Sequence, residues 1–78
     1  MTHTFTQNET TYTTTEFMVS NTSYSCTIVK GKFNYVNVVK NDVRRSLGKD
    51  FKNFDEAISY YKNPTIKTKL LQIELGLL

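Results

Sequence analysis

The periodicity of the apolar residues changes once along this chain, at Asn53, and this change constrains the fold more than any other feature. Before it, apolar and polar residues alternate with period two in residues 24–29 and 33–39, which is typical of β-strands. After it, apolar residues recur in residues 54–61 with the spacing of one helix face. The sequence therefore predicts strands first and helices second, which is an α+β fold.

Four strands are predicted, at residues 10–19, 24–29, 33–39 and 43–47. Turn signals separate them at residues 20–23, at Gly31 and at Asn41-Asp42. Because short connections join antiparallel neighbours, we expect a four-stranded antiparallel meander. Residues 1–8 are polar and are expected to form a flexible tail.

Two helices are predicted from their capping signals. Asn53 and Glu56 fit a capping box, and Asn63 precedes Pro64 at a first helical position. The apolar face of the first helix consists of Phe54, Ala57, Ile58 and Tyr61. The stripe of the second consists of Ile66, Leu70, Ile73 and Leu77. Gly76 is typical of the residue that follows a helix, and we expect both helices to pack on one face of the sheet.

The length of 78 residues predicts a single domain over residues 1–78. Cys26 is the one cysteine, so no internal disulfide is possible, and we expect it in the core. The N-terminus has neither a basic start nor an apolar run, and no segment is apolar over the length of a membrane span. These features predict a cytoplasmic protein that does not bind membranes.

The residue inventory argues against an enzyme. His3 is the one histidine and lies in the polar N-terminus, so no general base accompanies a nucleophile and no His/Cys metal site is expected. Asp55 and Glu56 are explained by their position in the first turn of a helix, where carboxylates complement the dipole. We therefore expect a non-enzymatic protein without a cofactor or metal.

Two segments are candidate contact surfaces. Tyr12, Phe17 and Tyr24 lie in the least charged part of the chain and predict a protein-binding patch, with core packing as the alternative. The basic excess lies in residues 30–52, and Tyr24, Phe33 and Tyr35 are interleaved with it, as aromatic residues are in nucleic-acid-binding sheets. Its basic residues are Lys30, Lys32, Lys40, Arg44, Arg45, Lys49 and Lys52. A solvated sheet edge is the alternative for these residues.

The last thirteen residues hold more Leu and Ile than one helix face has to bury. The surplus at Leu71, Leu75 and Leu78 predicts either a monomer with an apolar surface or a homodimer through the C-terminal helix.

The predicted layout resembles small phage-encoded inhibitor proteins, in particular one type I anti-CRISPR family. Residues 40–51, KNDVRRSLGKDF, lead into residues 53–57, NFDEA, where that family runs from its last hairpin into its first helix. The resemblance implies a non-enzymatic blocker that docks on a host protein complex.

Residues 44–51 followed by Asp55-Glu56-Ala57 also look like a corner of sheet-reading DNA-binding domains. Those domains usually have three strands and one helix, with more Arg and Trp on the sheet. The sequence therefore favours a phage or mobile-element inhibitor that binds protein, with a small DNA- or RNA-binding domain as the alternative.

Overall fold

The computed structural model describes residues 2–41 and 44–78. Within these residues the chain forms an antiparallel sheet and two helices. The elements are β1 (Thr2–Gln7), β2 (Thr10–Val19), β3 (Thr22–Lys30), β4 (Tyr35–Asn41), β5 (Ser46–Phe51), α1 (Phe54–Tyr60) and α2 (Pro64–Glu74). The strands lie in the sheet in chain order. The α+β class, the antiparallel meander and the two helices are confirmed, but the prediction of four strands is wrong.

The additional strand is β1, which is formed by residues that were expected to be a tail. It pairs with β2 from Thr2↔Thr15 to Gln7↔Thr10. All six of its residues are exposed, so it lacks the apolar alternation by which strands are recognised. The signal that remains is threonine at every second position, a β-branched residue that favours extended backbone.

The turn between β1 and β2 consists of Asn8 and Glu9. Their φ angles of 51° and 63° are both positive, which is the type I′ geometry of a two-residue hairpin. Asn is a common residue in this conformation, whereas Glu is not. Glu9 therefore gives no signal of this turn in the sequence.

The last hairpin differs from its prediction in register. Asn41 lies in β4 and pairs with Ser46, so the connection spans residues 42–45, whereas the predicted turn was Asn41-Asp42. Asp42 and Val43 lie outside the described residues. The observed register sets Phe51 opposite Val36, where its side chain is 2% exposed in the core. A two-residue turn would have carried Phe51 past the start of β4.

The core lies between one face of the sheet and the two helices. From the strands it contains Phe17, Val19, Tyr24, Cys26, Val36, Val38 and Phe51, and from the helices it contains Phe54, Ala57, Ile66, Leu70 and Ile73. Because side chains alternate across a strand, these strand residues share one side of the sheet. We call this side the covered face and the opposite side the open face. The helices are thus confirmed on one face.

Both predicted helix starts are confirmed. The Asn53 side chain accepts a hydrogen bond from the Glu56 amide at 2.9 Å, and the Asn63 side chain accepts one from the Thr65 amide at 2.8 Å. Gly76 follows α2 with φ 73°, and its amide donates to the Ile73 carbonyl. Neither described helix has the length and hydropathy to cross a membrane.

Candidate binding surfaces

One apolar row crosses the open face from strand to strand. The register aligns Phe5 of β1 with Tyr12 of β2, Tyr12 with Val29 of β3, and Val29 with Tyr35 of β4. The rings of Phe5 and Tyr12 stack with centroids 4.8 Å apart and planes 15° apart. Val29 is only 4% exposed although both described helices lie on the other face, and the register places Tyr12 and Tyr35 on either side of it. We call these four residues the aromatic row.

Polar side chains that are already bonded to each other lie beside the aromatic row. The next register line runs from His3 through Thr14, Thr27 and Asn37 to Asp50. The hydroxyls of Thr14 and Thr27 are 2.8 Å apart, and the Asn37 amide donates to the Asp50 carboxylate at 2.8 Å. A partner that covers Thr14 and Thr27 leaves their hydroxyls bonded to each other within the sheet.

The charges of the strands are divided between the two faces. By side-chain alternation, Glu16 and Asp50 are the charged residues that the described strands place on the open face, whereas Lys30, Lys40 and Lys49 lie on the side of the helices. The open face is therefore weakly acidic and mostly neutral. It does not have the basic character of a sheet that tracks phosphates.

The predicted protein-binding residues are divided in the same way. Tyr12 lies on the open face, but Phe17 and Tyr24 lie on the covered face at 6% and 7% exposure, stacked with centroids 5.3 Å apart. Positions 12 and 17 differ by an odd number of residues in one strand, so their side chains point to opposite sides. Phe17 and Tyr24 are core residues in this fold, and the contact patch predicted from them needs correction. Strand parity was the signal that would have separated them.

Strand β1 is a surface that the sequence did not predict. It is one edge of the sheet, and its residues THTFTQ are exposed and carry no formal charge. Phe5, at 55% exposure, ends the aromatic row at this edge. Residues that were expected to be a tail therefore contribute to a candidate contact surface.

The predicted nucleic-acid-binding residues do not form one surface. Lys30 and Lys52 line a depression of about 250 Å³ near the start of β4, and Lys32 lies in the turn before it with its ammonium 5.9 Å from the Phe33 ring. Lys40 lies near the far end of β4. Because the seven residues of β4 span roughly 20 Å, Lys40 is separated from Lys30, Lys32 and Lys52 by about the length of the strand.

The second basic group borders a cleft beneath β5. Lys40, Lys49, Leu47, Tyr60 and Tyr61 line this cleft, which has a volume of about 340 Å³. The Lys49 ammonium lies 5.0 Å from the Tyr60 ring. Burial, with a smaller contribution from Tyr60, raises the pKa of Tyr61 to about 12, so its phenol keeps its proton at neutral pH. The exposed Arg44 and Arg45 directly precede β5.

The single cysteine and the single histidine, the residues most suited to nucleophilic or metal chemistry, lie far apart in burial: one is in the core and the other is on the surface. Cys26 is a free, fully buried cysteine of the core, as predicted, and burial raises the pKa of its thiol to about 12. His3 is exposed on β1. Over residues 2–41 and 44–78, no group of three or more His, Cys, Asp or Glu side chains is arranged to hold a metal ion.

The surplus leucines of the C-terminus are on the surface. Leu71, Leu75 and Leu78 are 46%, 62% and 43% exposed. Leu77, which was predicted to continue the buried stripe, is 72% exposed because α2 ends at Glu74 and the chain turns at Gly76.

Comparison with known proteins adds no relative: no family model, curated protein or solved structure matches this chain.

Proposed function

We propose that this protein is a small, non-enzymatic module that binds a protein partner through the open face of its sheet. The observation that carries the proposal is the aromatic row, in which Tyr12 and Tyr35 are partly exposed around a buried Val29 and Phe5 extends to the edge. Aromatic residues are the commonest anchors of protein interfaces. Beside the row, the hydroxyls of Thr14 and Thr27 are bonded to each other, so a partner that covers them leaves neither unpaired.

The partner that we propose is a host protein complex, and the protein acts as an inhibitor of phage or mobile-element type. The layout predicted from the sequence, with residues 40–51 leading into the first helix, resembles a type I anti-CRISPR family, and the sheet has one strand more than that layout. A face with little charge suits a blocker because docking on it requires few charges to be desolvated.

This proposal is tested with a purified type I CRISPR effector complex passed over the immobilised protein. We expect the wild type to retain the complex and Tyr35→Ala to reduce its affinity at least about tenfold, as for an interface anchor. Phe33→Ala is the matched control, because Phe33 is an exposed aromatic residue, at 75%, in the turn beside the row and outside it. If the two variants bind alike, the aromatic row is not the contact. If the wild type does not bind the complex, the anti-CRISPR assignment is wrong.

A nucleic-acid-binding role is a second candidate, and the cleft beneath β5 favours it. Tyr60 is 55% exposed there beside Lys49, and Lys40 lines the same cleft, so a base could stack while ammonium groups contact phosphates. Arg44 and Arg45 would extend the contact along the strand edge.

The measurement for this role is the anisotropy of a labelled oligothymidylate at low and at physiological salt. A nucleic-acid-binding protein loses affinity steeply with salt, and neutralising Arg44, Arg45 and Lys49 together abolishes its binding. We expect no retention at physiological salt, because the basic residues are split between the two ends of β4. Tight binding in that buffer would reverse the order of the two candidates.

A further inference from the structure

The backbone of β1 presents unused hydrogen-bonding groups along the sheet edge. A two-residue hairpin loop makes its flanking residues a hydrogen-bonded pair, and such pairs then alternate along the strands. Gln7 and Thr10 flank the loop, so every second residue from Gln7 directs its N–H and C=O toward β2. Thr2, Thr4 and Thr6 therefore direct theirs outward.

The opposite edge of the sheet is protected in a way that β1 is not. Strand β5 carries Lys49 and Asp50 next to Gly48, and charges and glycine discourage the addition of another strand. Strand β1 has no charge, no proline and no bulge in its register with β2. Of the two edges, β1 is the one that accepts a further strand.

We propose that β1 pairs in antiparallel orientation with β1 of a second copy of this chain, about a two-fold axis at Thr4. In this register Thr4 meets Thr4 of the second copy, and Thr2 meets Thr6. It is the antiparallel register in which all three outward residues of both copies lie opposite one another. Shifting it by two residues in one direction sets Thr2 opposite Asn8, which lies outside the strand with φ 51°. A shift in the other direction leaves Thr6 without a partner.

The side chains of β1 are self-complementary in this register. On the open face, Phe5 lies opposite His3 of the second copy and diagonal to its Phe5, within reach for aromatic side chains. The two aromatic rows thereby meet across a sheet of twice the width. On the other side, threonines meet threonines, so no charge is desolvated anywhere along the seam. A two-fold contact of this kind closes on itself and does not propagate into fibres.

This dimer deepens the proposed function, because it joins the two open faces into one wider contact surface. It is measured on the protein alone, without any partner. If the protein dimerises but does not bind the CRISPR complex, the proposed function fails and the dimer stands. If it binds the complex as a monomer, the dimer fails and the proposed function stands.

The first test is sedimentation velocity of the full chain from micromolar to millimolar concentration. We expect a monomer–dimer equilibrium in the wild type. Thr4→Pro removes an outward N–H that β2 does not use, and Thr4→Lys sets two like charges opposite each other at the axis. Each variant should keep its fold by circular dichroism and raise the dimer dissociation constant about tenfold or more. Ser59→Lys, at an exposed site on α1, is the charge-matched control and should leave the equilibrium unchanged.

The rival contact is the leucine surface at the end of α2, and Leu75→Lys tests it. The β1 dimer predicts that this variant dimerises as the wild type does. Loss of the dimer in Leu75→Lys with retention in both Thr4 variants would overturn the proposal in favour of a helix contact. A wild type that stays monomeric at millimolar concentration would also overturn it.

The register itself is tested by a cysteine variant. Directly opposed residues in a hydrogen-bonded pair have Cα atoms about 5.5 Å apart, which a disulfide can span. Thr4→Cys should therefore form a covalent dimer under mild oxidation, whereas Thr6→Cys should not, because Thr6 faces Thr2. The native Cys26 is fully buried and does not interfere. Equal cross-linking of the two variants would contradict the Thr4-centred axis.

Discussion

The two faces of this sheet are built from the same strands but differ in what holds their side chains in place. On the covered face, helices enclose Phe17, Tyr24 and Cys26 at 7% exposure or less. On the open face, Tyr12 and Tyr35 remain partly exposed, with Val29 between them and Phe5 stacked on Tyr12. Residues of one type therefore have a packing role on one face and are free for contact on the other, and strand parity decides which.

The largest expected difference between the faces is in the free energy of unfolding. Phe17→Ala removes a buried ring and should destabilise the protein by about 3–5 kcal/mol. Phe5→Ala removes an exposed ring whose contact is the stacked Tyr12, which should cost about 0.5–1.5 kcal/mol. Urea unfolding of both variants measures the difference. Equal losses would mean that the open face is as much a core as the covered face.

The covered face should also make the protein sensitive to alkali. Burial raises the pKa of Cys26 to about 12 from an ordinary value of 9.0, so above pH 9 the unfolded chain loses a proton that the folded chain keeps. The contribution of the protonated Cys26 thiol to the free energy of unfolding is thus fully present below pH 9 and is lost as the pH rises from there toward 12. The partly buried Tyr61 acts in the same direction, because its pKa is raised to about 12 from an ordinary value of 10.0.

Melting temperatures of the wild type and Cys26→Ala between pH 8 and pH 11 test this effect. The variant has no buried thiol to ionise, so its melting temperature should fall less over the same interval. Parallel curves for the two proteins would show that the covered face does not control the alkaline transition.

A smaller effect is expected at the turn that supports the open face. Glu9 has a φ of 63°, a conformation that costs an L-residue about 1–2 kcal/mol relative to glycine. Glu9→Gly should therefore raise the free energy of unfolding. The gain should not exceed about 1 kcal/mol, because glycine also increases the conformational entropy of the unfolded chain. Thermal unfolding measures the shift, and a lower melting temperature in this variant would argue against the type I′ turn.

The sequence predicts the covered face better than the open one, for a physical reason. Helix starts at Asn53 and Asn63 and the buried positions Ala57 and Leu70 follow from capping and from one-sided apolar spacing. Strand β1 has no such pattern, because all six of its residues are exposed and the β2 residues opposite them are mostly threonines.

The candidate site was predicted only in part, because its residues come together through register. Tyr12 was identified from the low charge of its segment, but Val29 and Tyr35 join it only when two hairpins, β2–β3 and β3–β4, are in place. The four-residue connection before β5 likewise depends on the burial of Phe51, which no local turn signal reports. Local patterns define elements, whereas the alignment of side chains across strands depends on tertiary packing.

The most direct test of the account compares Tyr12→Ala with Tyr24→Ala, two tyrosines on neighbouring strands and opposite faces. Melting temperature and capture of the purified CRISPR complex are measured together for each. We expect Tyr12→Ala to lose about 2 kcal/mol or more of binding free energy, while its melting temperature falls only about as far as that of Phe5→Ala, which loses the same stacked pair. Tyr24→Ala should melt far earlier, because it opens the core. Full capture of the complex by Tyr12→Ala would contradict the assignment of the open face as the contact surface.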